Sequence, residues 1–327
     1  MAKSIGKRVI TAQYISLFIF VLLFSSSKVF AKTVFSDMQP GLWGWYFFIY
    51  NNGQDLKGQP DIDFEKFEKP IIYNNDSKWI NRVFLPNGTG PFPIVVIIPN
   101  CEKVDVQDLK IMEHALKRGY AAMVFDPHRG FSNNCTMVGE GRAKPIGWSR
   151  IIKDSYDLAA YLGNFSVINK NRIYSVGGSQ GGMIGGFLSS PGIKSLVAPN
   201  APIRFRASSS LYGCAVFPIG IDKNINRNLT YIFNDMDRPL LWLVGEADTE
   251  CLPAEDIGII KDFQERKLPI EYHTYKDAYH CWNCVHKNNL NRTLYYYGKP
   301  VSNLYRYDEI VTNDSIKRSL DFFDKHK

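Results

Sequence analysis

The residues most suited to chemistry stand in one hexapeptide, Gly177-Gly178-Ser179-Gln180-Gly181-Gly182. It contains Gly-x-Ser-x-Gly, placed directly after a strand-like run, Arg172 to Val176, and directly before a helical pattern. A strand that turns sharply into a helix forces the central residue into a strained backbone, and side chains on either side would clash. Glycines at 177 and 181 relieve the clash and project the Ser179 hydroxyl toward the N-terminus of the next helix. There the helix dipole and the Gln180 N–H can stabilise developing negative charge. The plainer reading is a Gly-rich turn that only packs a helix on a sheet. A phosphate loop would need a Gly-Lys-Ser/Thr ending, which is missing.

A serine hydroxyl attacks a carbonyl only with a general base beside it, and the base needs an orienting acid. Six histidines are available: 114, 128, 273, 280, 286 and 326. His114 and His326 fall in helical patterns, His273 within a strand, and His128 and His286 in loops. His280 follows a late strand in Tyr275-Lys276-Asp277-Ala278-Tyr279-His280, where a base would be delivered. The acid is expected at Asp248, in Val244-Gly245-Glu246-Ala247-Asp248, just past another buried strand. Glu246 and Asp277 compete for the role, and a turn or helix cap is the bland alternative for Asp248. Strand, loop and chain order together favour Ser179, Asp248 and His280.

The run His280-Cys281-Trp282-Asn283-Cys284-Val285-His286 also has zinc-ligand residue types. All four ligands would then come from seven consecutive residues, cramped for a tetrahedron, and His280 is wanted as the base. A cysteine nucleophile at 281 or 284 lacks a strand–helix turn.

These residues must be held by something, and the surrounding pattern supplies it. Ile80 to Leu85 alternates like a strand, and Asn87-Gly88 marks a turn. Ile94 to Ile98 is an unbroken β-branched run, as in a strand buried on both faces. Asp105 to Arg118 has helical spacing and stops at Gly119. Tyr120 to Phe125 reads as a buried strand, 126–147 as a long loop, and Ser149 to Leu162 as a helix. Ser195 to Ala198 is a candidate strand, Leu240 to Val244 a clear one. Ala254 to Arg266 is helical, Ile270 to Thr274 extended, and Asp314 to Phe323 an amphipathic helix. Residues 200–237 show weak periodicity and read as an insertion or irregular crossover. The β-α-β-α order implies an α/β fold with a mainly parallel sheet and helices on both faces.

With these blocks in place, the chain resembles the dienelactone hydrolase family of α/β-hydrolases, in particular its exported, cysteine-containing members. The resemblance runs from about Asn81 to the C-terminus. It rests on Pro91 to Ile98, Gly177 to Gly182, Val244 to Asp248 and Tyr275 to His280. It implies an α/β-hydrolase fold, cleavage of small carboxylic esters or lactones without metal or organic cofactor, and Ser179, Asp248 and His280 as the triad. Dienelactone hydrolases proper use a cysteine nucleophile; here Ser179 stands in its place, which argues against assuming their substrate. Relatives of this type usually show His-Gly-Cys-Gly-Gly after the strand ending at Ile98, whereas this chain has Pro99-Asn100-Cys101-Glu102-Lys103. The second oxyanion-hole N–H is expected from Cys101, beside the Gln180 N–H. Losing the glycines restricts the loop, and Glu102 brings a negative charge near the oxyanion.

The six cysteines fit the same picture. Cys101 and Cys135 lie in loops after neighbouring strands, and a bridge between them would clamp the oxyanion loop. Cys214 and Cys251 would tie the 200–237 segment to the acid loop, leaving Cys281 and Cys284 as a local pair beside His280.

An even cysteine count suits an exported chain, and the N-terminus reads as an export signal. Lys3, Lys7 and Arg8 precede the uncharged apolar run Tyr14 to Phe24, then Ser25 to Ser27, with Val29 and Ala31 at a cleavage pair. The apolar core is short for a membrane anchor. Residues 1–31 are therefore expected to be a signal peptide and 32–327 a single α/β-hydrolase domain, periplasmic or secreted, with no stable membrane span after cleavage. The signal holds four of the 39 basic residues and none of the 32 acidic ones, leaving the remainder at +3. No Lys/Arg block stands elsewhere, which argues against nucleic acid as a partner. The expected function is that of an exported serine hydrolase; the alternative is a non-catalytic binding protein on the same scaffold.

Overall fold

The protein is described from a computed structural model over residues 61–74, 78–130, 146–217, 229–296 and 299–327. The expected signal peptide and Cys135 lie outside these residues, and so does the expected Cys101–Cys135 bridge. In chain order the strands are Ile71–Ile72 (β1), Phe84–Leu85 (β2), Phe92–Ile98 (β3), Ala121–Val124 (β4), Ile168–Gly178 (β5), Ala207–Leu211 (β6), Val216–Phe217 (β7), Leu229–Thr230 (β8), Leu240–Gly245 (β9), Ile270–Tyr275 (β10), Leu290–Tyr296 (β11) and Lys299–Tyr305 (β12). The helices are Val106–Lys117 (α1), Trp148–Leu162 (α2), Gln180–Ser189 (α3), Pro191–Val197 (α4), Pro253–Glu265 (α5) and Glu309–Lys325 (α6).

Among the described residues, eight strands form one sheet in the order β1-β2-β4-β3-β5-β6-β9-β10. Every pairing is parallel except β2 with β4. Parallel neighbours need crossovers, and helices supply most of them, so both faces are covered and the central strands read as continuous apolar runs. Val95 and Ile97 join a cluster closed by Ile111, Met112 and Ala115 of α1 and Ile316, Leu320 and Phe323 of α6. Ile94, Val96 and Ile98 are as deeply buried and point to the opposite face by strand alternation. There α2 and α3 meet through Trp148 and Phe187, whose ring centroids are 5.8 Å apart.

Several boundaries differ from the sequence pattern. Ser195 to Ala198 is not a strand but lies at the end of α4, which Ser190 caps by accepting the Ile193 N–H and which Pro191 opens. The sheet strand missing from 200–237 is β6, Ala-Ser-Ser-Ser-Leu, whose polar letters hide a fully buried element. Two of its three serine hydroxyls are paired: Ser208 Oγ lies 2.7 Å from Ser175 Oγ, and Ser209 Oγ 2.7 Å from Ser319 Oγ. Ile80 contributes only an isolated bridge to Val124, ahead of the two-residue β2. The last helix starts earlier, at Glu309, because Asp308 accepts the Val311 N–H there. The β11–β12 hairpin, between His280 and α6, has no counterpart in the expected element order.

Two bridges join cysteines as expected, Cys214 to Cys251 and Cys281 to Cys284. Among the described residues no helix is long and apolar enough to cross a membrane.

Candidate active site

Ser179 sits between β5 and α3 with φ 51° and ψ −120°. That backbone is costly for an L-residue with a side chain, and the surrounding contacts hold it. Its N–H donates to Leu211 O at 2.9 Å, and its carbonyl accepts the Met183 N–H at 2.9 Å, the first bond of α3. The turn fits only because its flanks lack Cβ atoms. A Cβ on Gly177 would stand 2.5 Å from Ile98 O and from the Gly181 carbonyl carbon, and one on Gly181 would collide with Ile98 O. The turn is thus pressed against the end of β3, where Ile98 pairs with Gly177.

The three residues expected to act together do meet. His280 Nε2 lies 3.1 Å from Ser179 Oγ, and its Nδ1–H donates to Asp248 Oδ2 at 2.8 Å. A carboxylate only accepts, so the proton of the neutral ring is on Nδ1 and the Nε2 lone pair faces the serine hydroxyl. Asp248 Oδ1 accepts the backbone N–H groups of Glu250 (2.8 Å) and Cys251 (2.9 Å), so both oxygens are engaged. Cys251 is bridged to Cys214, beyond the end of β6, so the bridge anchors the acid loop from the far side. The competing acids, Glu246 and Asp277, are in neither of these hydrogen bonds.

His280 is packed as tightly as it is bonded. The Tyr212 ring stands edge-on to it at 5.0 Å, and the Tyr305 ring at 6.0 Å. Tyr212 is itself fixed, its hydroxyl donating to Asn283 Oδ1 at 2.5 Å. A β-bridge joins His280 to Tyr305, so the far end of the β11–β12 hairpin returns to the histidine.

Sequence reasoning missed the charges around this ring. Glu250 Oε2 is 3.8 Å from His280 Nε2 and accepts the Tyr305 hydroxyl at 2.5 Å. Burial alone would push the imidazole pKa down, but the Glu250 and Asp248 carboxylates outweigh it and raise it to about 8. Glu102 is not a bare charge beside the turn. Lys287 Nζ pairs with it at 2.8 Å and Arg292 at 3.1 Å. Burial pushes the Glu102 carboxyl up, and these two cations overcome that and hold it below its usual range. Lys287 also lies over the Tyr305 ring, 4.7 Å from its centroid. The one hint in the sequence was the clustering of Glu250, Lys287 and Arg292 near the motif residues, and nothing there paired them.

At the expected oxyanion position, Gln180 is the first residue of α3, so its N–H has no carbonyl one turn back to bond. Cys101 lies three residues past Ile98. Asn100 before it is buried, with its Oδ1 accepting the Glu102 N–H at 2.9 Å.

Asp248, Cys251 and His280 place possible metal-ligand atoms within 4.8 Å of one another. The Cys251 sulfur is committed to Cys214, and the two other groups are bonded to each other. The zinc reading of His280 to His286 likewise has no thiolates, because Cys281 and Cys284 are bridged.

A parallel sheet in this order, with a strained serine at a strand–helix turn and an aspartate and histidine on later loops, defines an α/β-hydrolase. The chain belongs to the dienelactone hydrolase family, whose model matches residues 81–327. No curated protein matches the chain. Among solved structures it is similar to a Klebsiella pneumoniae protein described as a dienelactone hydrolase, at 19% identity and TM-score 0.51 over 73% of this chain and 89% of that one. It is also similar to a thermophilic esterase of Thermogutta terrifontis. The propionate-bound form gives 13% identity and TM-score 0.54, covering 81% and 96%; the butyrate-bound form gives 13% and 0.53, covering 75% and 88%.

Proposed function

We propose that this protein is an exported serine hydrolase that cleaves small carboxylic esters or lactones through an acyl-enzyme. Ser179 attacks the carbonyl carbon as His280 Nε2 takes its proton. The leaving alcohol departs with that proton, and water then repeats the sequence on the acyl-enzyme to release the acid and free Ser179. Asp248 holds the Nδ1–H tautomer and offsets the imidazolium charge. The Gln180 and Cys101 N–H groups receive the oxyanion. The observation that carries this reading is the bonded series Asp248–His280–Ser179 ending on a serine with φ 51°.

A fluorophosphonate probe tests it, because phosphonylation requires an activated serine. The label is expected on Ser179 in peptide mapping, with hydrolysis of short aryl esters lost in Ser179→Ala. A wild-type chain that is neither labelled nor active sinks the proposal and favours a binding protein.

Export and domain layout belong to the same proposal. The basic n-region, short apolar core and Val29/Ala31 pair support cleavage after Ala31, leaving residues 32–327 as one domain. N-terminal sequencing of secreted material is expected to begin at Lys32; retention of Met1 in a membrane fraction would favour an anchor instead.

A further inference from the structure

We propose that His128 is a positioning residue for the oxyanion hole: its buried imidazole holds the Asn100–Cys101 peptide in the orientation that presents the Cys101 N–H to the reacting carbonyl. The proposal rests on the hydrolase reading above and adds a residue outside the triad.

His128 is 1% exposed, in the loop that follows β4. Its Nε2 lies 3.1 Å from the Asn100 carbonyl oxygen. A carbonyl oxygen only accepts, so Nε2 carries the hydrogen and donates it. The backbone N–H of His128 in turn donates to Asp126 Oδ1 at 2.9 Å, which fixes the loop from which the ring projects. Burial pushes the imidazole pKa down and keeps the ring neutral, and a neutral Nε2–H ring is all the contact needs.

The direction of the bond matters more than its existence. In a planar trans peptide the C=O and the following N–H point in opposite directions. The carbonyl of Asn100 and the N–H of Cys101 belong to one such plane. In the sheet, β3 has β4 on one side and β5 on the other. His128 comes from the β4 side and draws the Asn100 carbonyl toward it. The Cys101 N–H is thereby turned toward the β5 side, where Ser179 stands at the strand end. With the peptide flipped, a carbonyl oxygen would face the developing oxyanion and repel it.

The rest of Asn100 supports the same orientation. Its Oδ1 accepts the Glu102 N–H at 2.9 Å, and its amide nitrogen lies 3.9 and 4.0 Å from the sulfurs of Cys281 and Cys284. These contacts fix the side chain and leave the carbonyl to His128. They also explain how a loop lacking the family's glycines can still offer a donor.

The test compares variants that keep or lose the donor. His128→Gln places an N–H near the Nε2 position; His128→Leu removes the donor at similar bulk. Loss of a complete oxyanion donor costs about 10²–10³ in kcat. Removing its support is expected to lower kcat for an aryl ester by about 10–100-fold in His128→Leu, with KM little changed. His128→Gln is expected to recover most of that loss. The Ki of a trifluoromethyl ketone, whose adduct with Ser179 carries an oxyanion, should rise in His128→Leu as kcat falls. Equal kcat in the two variants, or a loss confined to KM, overturns the proposal and leaves the hydrolase reading standing; an inactive wild-type chain overturns both. If neither variant folds, long-range proton–nitrogen spectra of the wild-type protein decide. A proton on His128 Nε2 supports the proposal, and one on Nδ1 overturns it.

Discussion

Glu250 Oε2 stands 3.8 Å from His280 Nε2, the same nitrogen that faces Ser179 Oγ at 3.1 Å. His280, the proposed general base, therefore has a carboxylate beside each nitrogen, Asp248 at Nδ1 and Glu250 near Nε2. Both favour the imidazolium, the form that has already taken the serine proton. On that reading the arrangement stabilises the charge that develops during attack, at the cost of a base that is mostly protonated at neutral pH.

The first prediction is a shifted pH profile. An unperturbed histidine would place the acid limb of kcat/KM near 6.5, whereas the Glu250 and Asp248 carboxylates push His280 up to about 8. Activity should thus rise through pH 8 as His280 loses its proton. Glu250→Gln removes one of the two carboxylates, so the limb should move to lower pH by about 1 unit. Rate profiles of the two proteins between pH 5 and 10 measure it, and coincident limbs would show that Glu250 does not act on His280.

The second prediction concerns Asp248→Asn. Oδ1 of Asp248 is held by two backbone N–H groups, which an amide nitrogen cannot accept. The amide of Asn would therefore keep its oxygen there and turn its NH2 toward His280 Nδ1. A donor at that position forces the proton to Nε2, the tautomer that cannot take the serine proton. The drop in kcat should be on the order of 10⁴, with KM little changed. A variant within tenfold of wild type would mean that Asp248 does not set the tautomer.

The contrast between these residues shows what a sequence can carry. Ser179 was legible because a strand–helix turn tolerates so few residue types on its flanks that the letters themselves report the geometry. Asp248 and His280 followed from chain order relative to buried strands. Tyr212, Glu250, Tyr305 and His128 were not legible, because each matters only through a partner far along the chain. Tyr212 bonds Asn283, Tyr305 bonds Glu250, and His128 bonds Asn100. Strand β6 was missed for the same reason. Three serines in a row look solvated until Ser175 and Ser319 are found opposite two of them, Ser208 and Ser209.

A third prediction uses two glycines as a matched pair. Gly181→Ala would press a methyl group into the Ile98 carbonyl, and the Pro99 oxygen would be 2.7 Å away. Backbone atoms cannot swing aside as a side chain can, so the end of β3 must shift, costing about 1–3 kcal/mol or more. Because that end leads into the oxyanion loop, kcat should fall as well. Gly258, exposed inside α5, has nothing within 4 Å of an added Cβ. Gly258→Ala should raise stability by about 0.5–1 kcal/mol, through helix propensity alone. Thermal melting and aryl-ester kinetics read both. A neutral Gly181→Ala would contradict the tight approach of the turn to β3.

The fourth prediction concerns the bridge between Cys214 and Cys251, which stand 37 positions apart in the chain. On the chain-entropy account a loop of that size stabilises by about 4 kcal/mol. Cys214→Ser with Cys251→Ser should lower the melting temperature accordingly. Since Cys251 N–H donates to Asp248, kcat should fall more than KM rises in the molecules that remain folded. The four-residue Cys281–Cys284 loop should contribute only about 2 kcal/mol. A double variant at 214 and 251 with unchanged melting would rule out the bridge as a stabilising element.

The last prediction isolates a buried carboxyl away from the triad. Asp108 accepts the Asp105 N–H at 2.9 Å in the capping box that opens α1, and it is 3% exposed. Burial raises its pKa from 3.8 to about 7; the Asp105 N–H opposes the rise, while the Asp105 and Asp126 carboxylates add to it. With the folded value above the unfolded one, the folded protein keeps a proton that the unfolded chain has already released. Stability from this group is therefore full below pH 3.8, declines as pH rises toward 7, and stays reduced above it. A gap of about three units corresponds to on the order of 4 kcal/mol. Asp108→Asn retains an oxygen to accept the Asp105 N–H and has no proton to lose. It should be more stable than the wild type at pH 8, with the advantage shrinking steadily toward pH 4. Urea unfolding across that range measures the difference. A variant whose effect does not change with pH would show that Asp108 is ionised in the folded protein throughout, and that the capping contact, rather than burial, governs its titration.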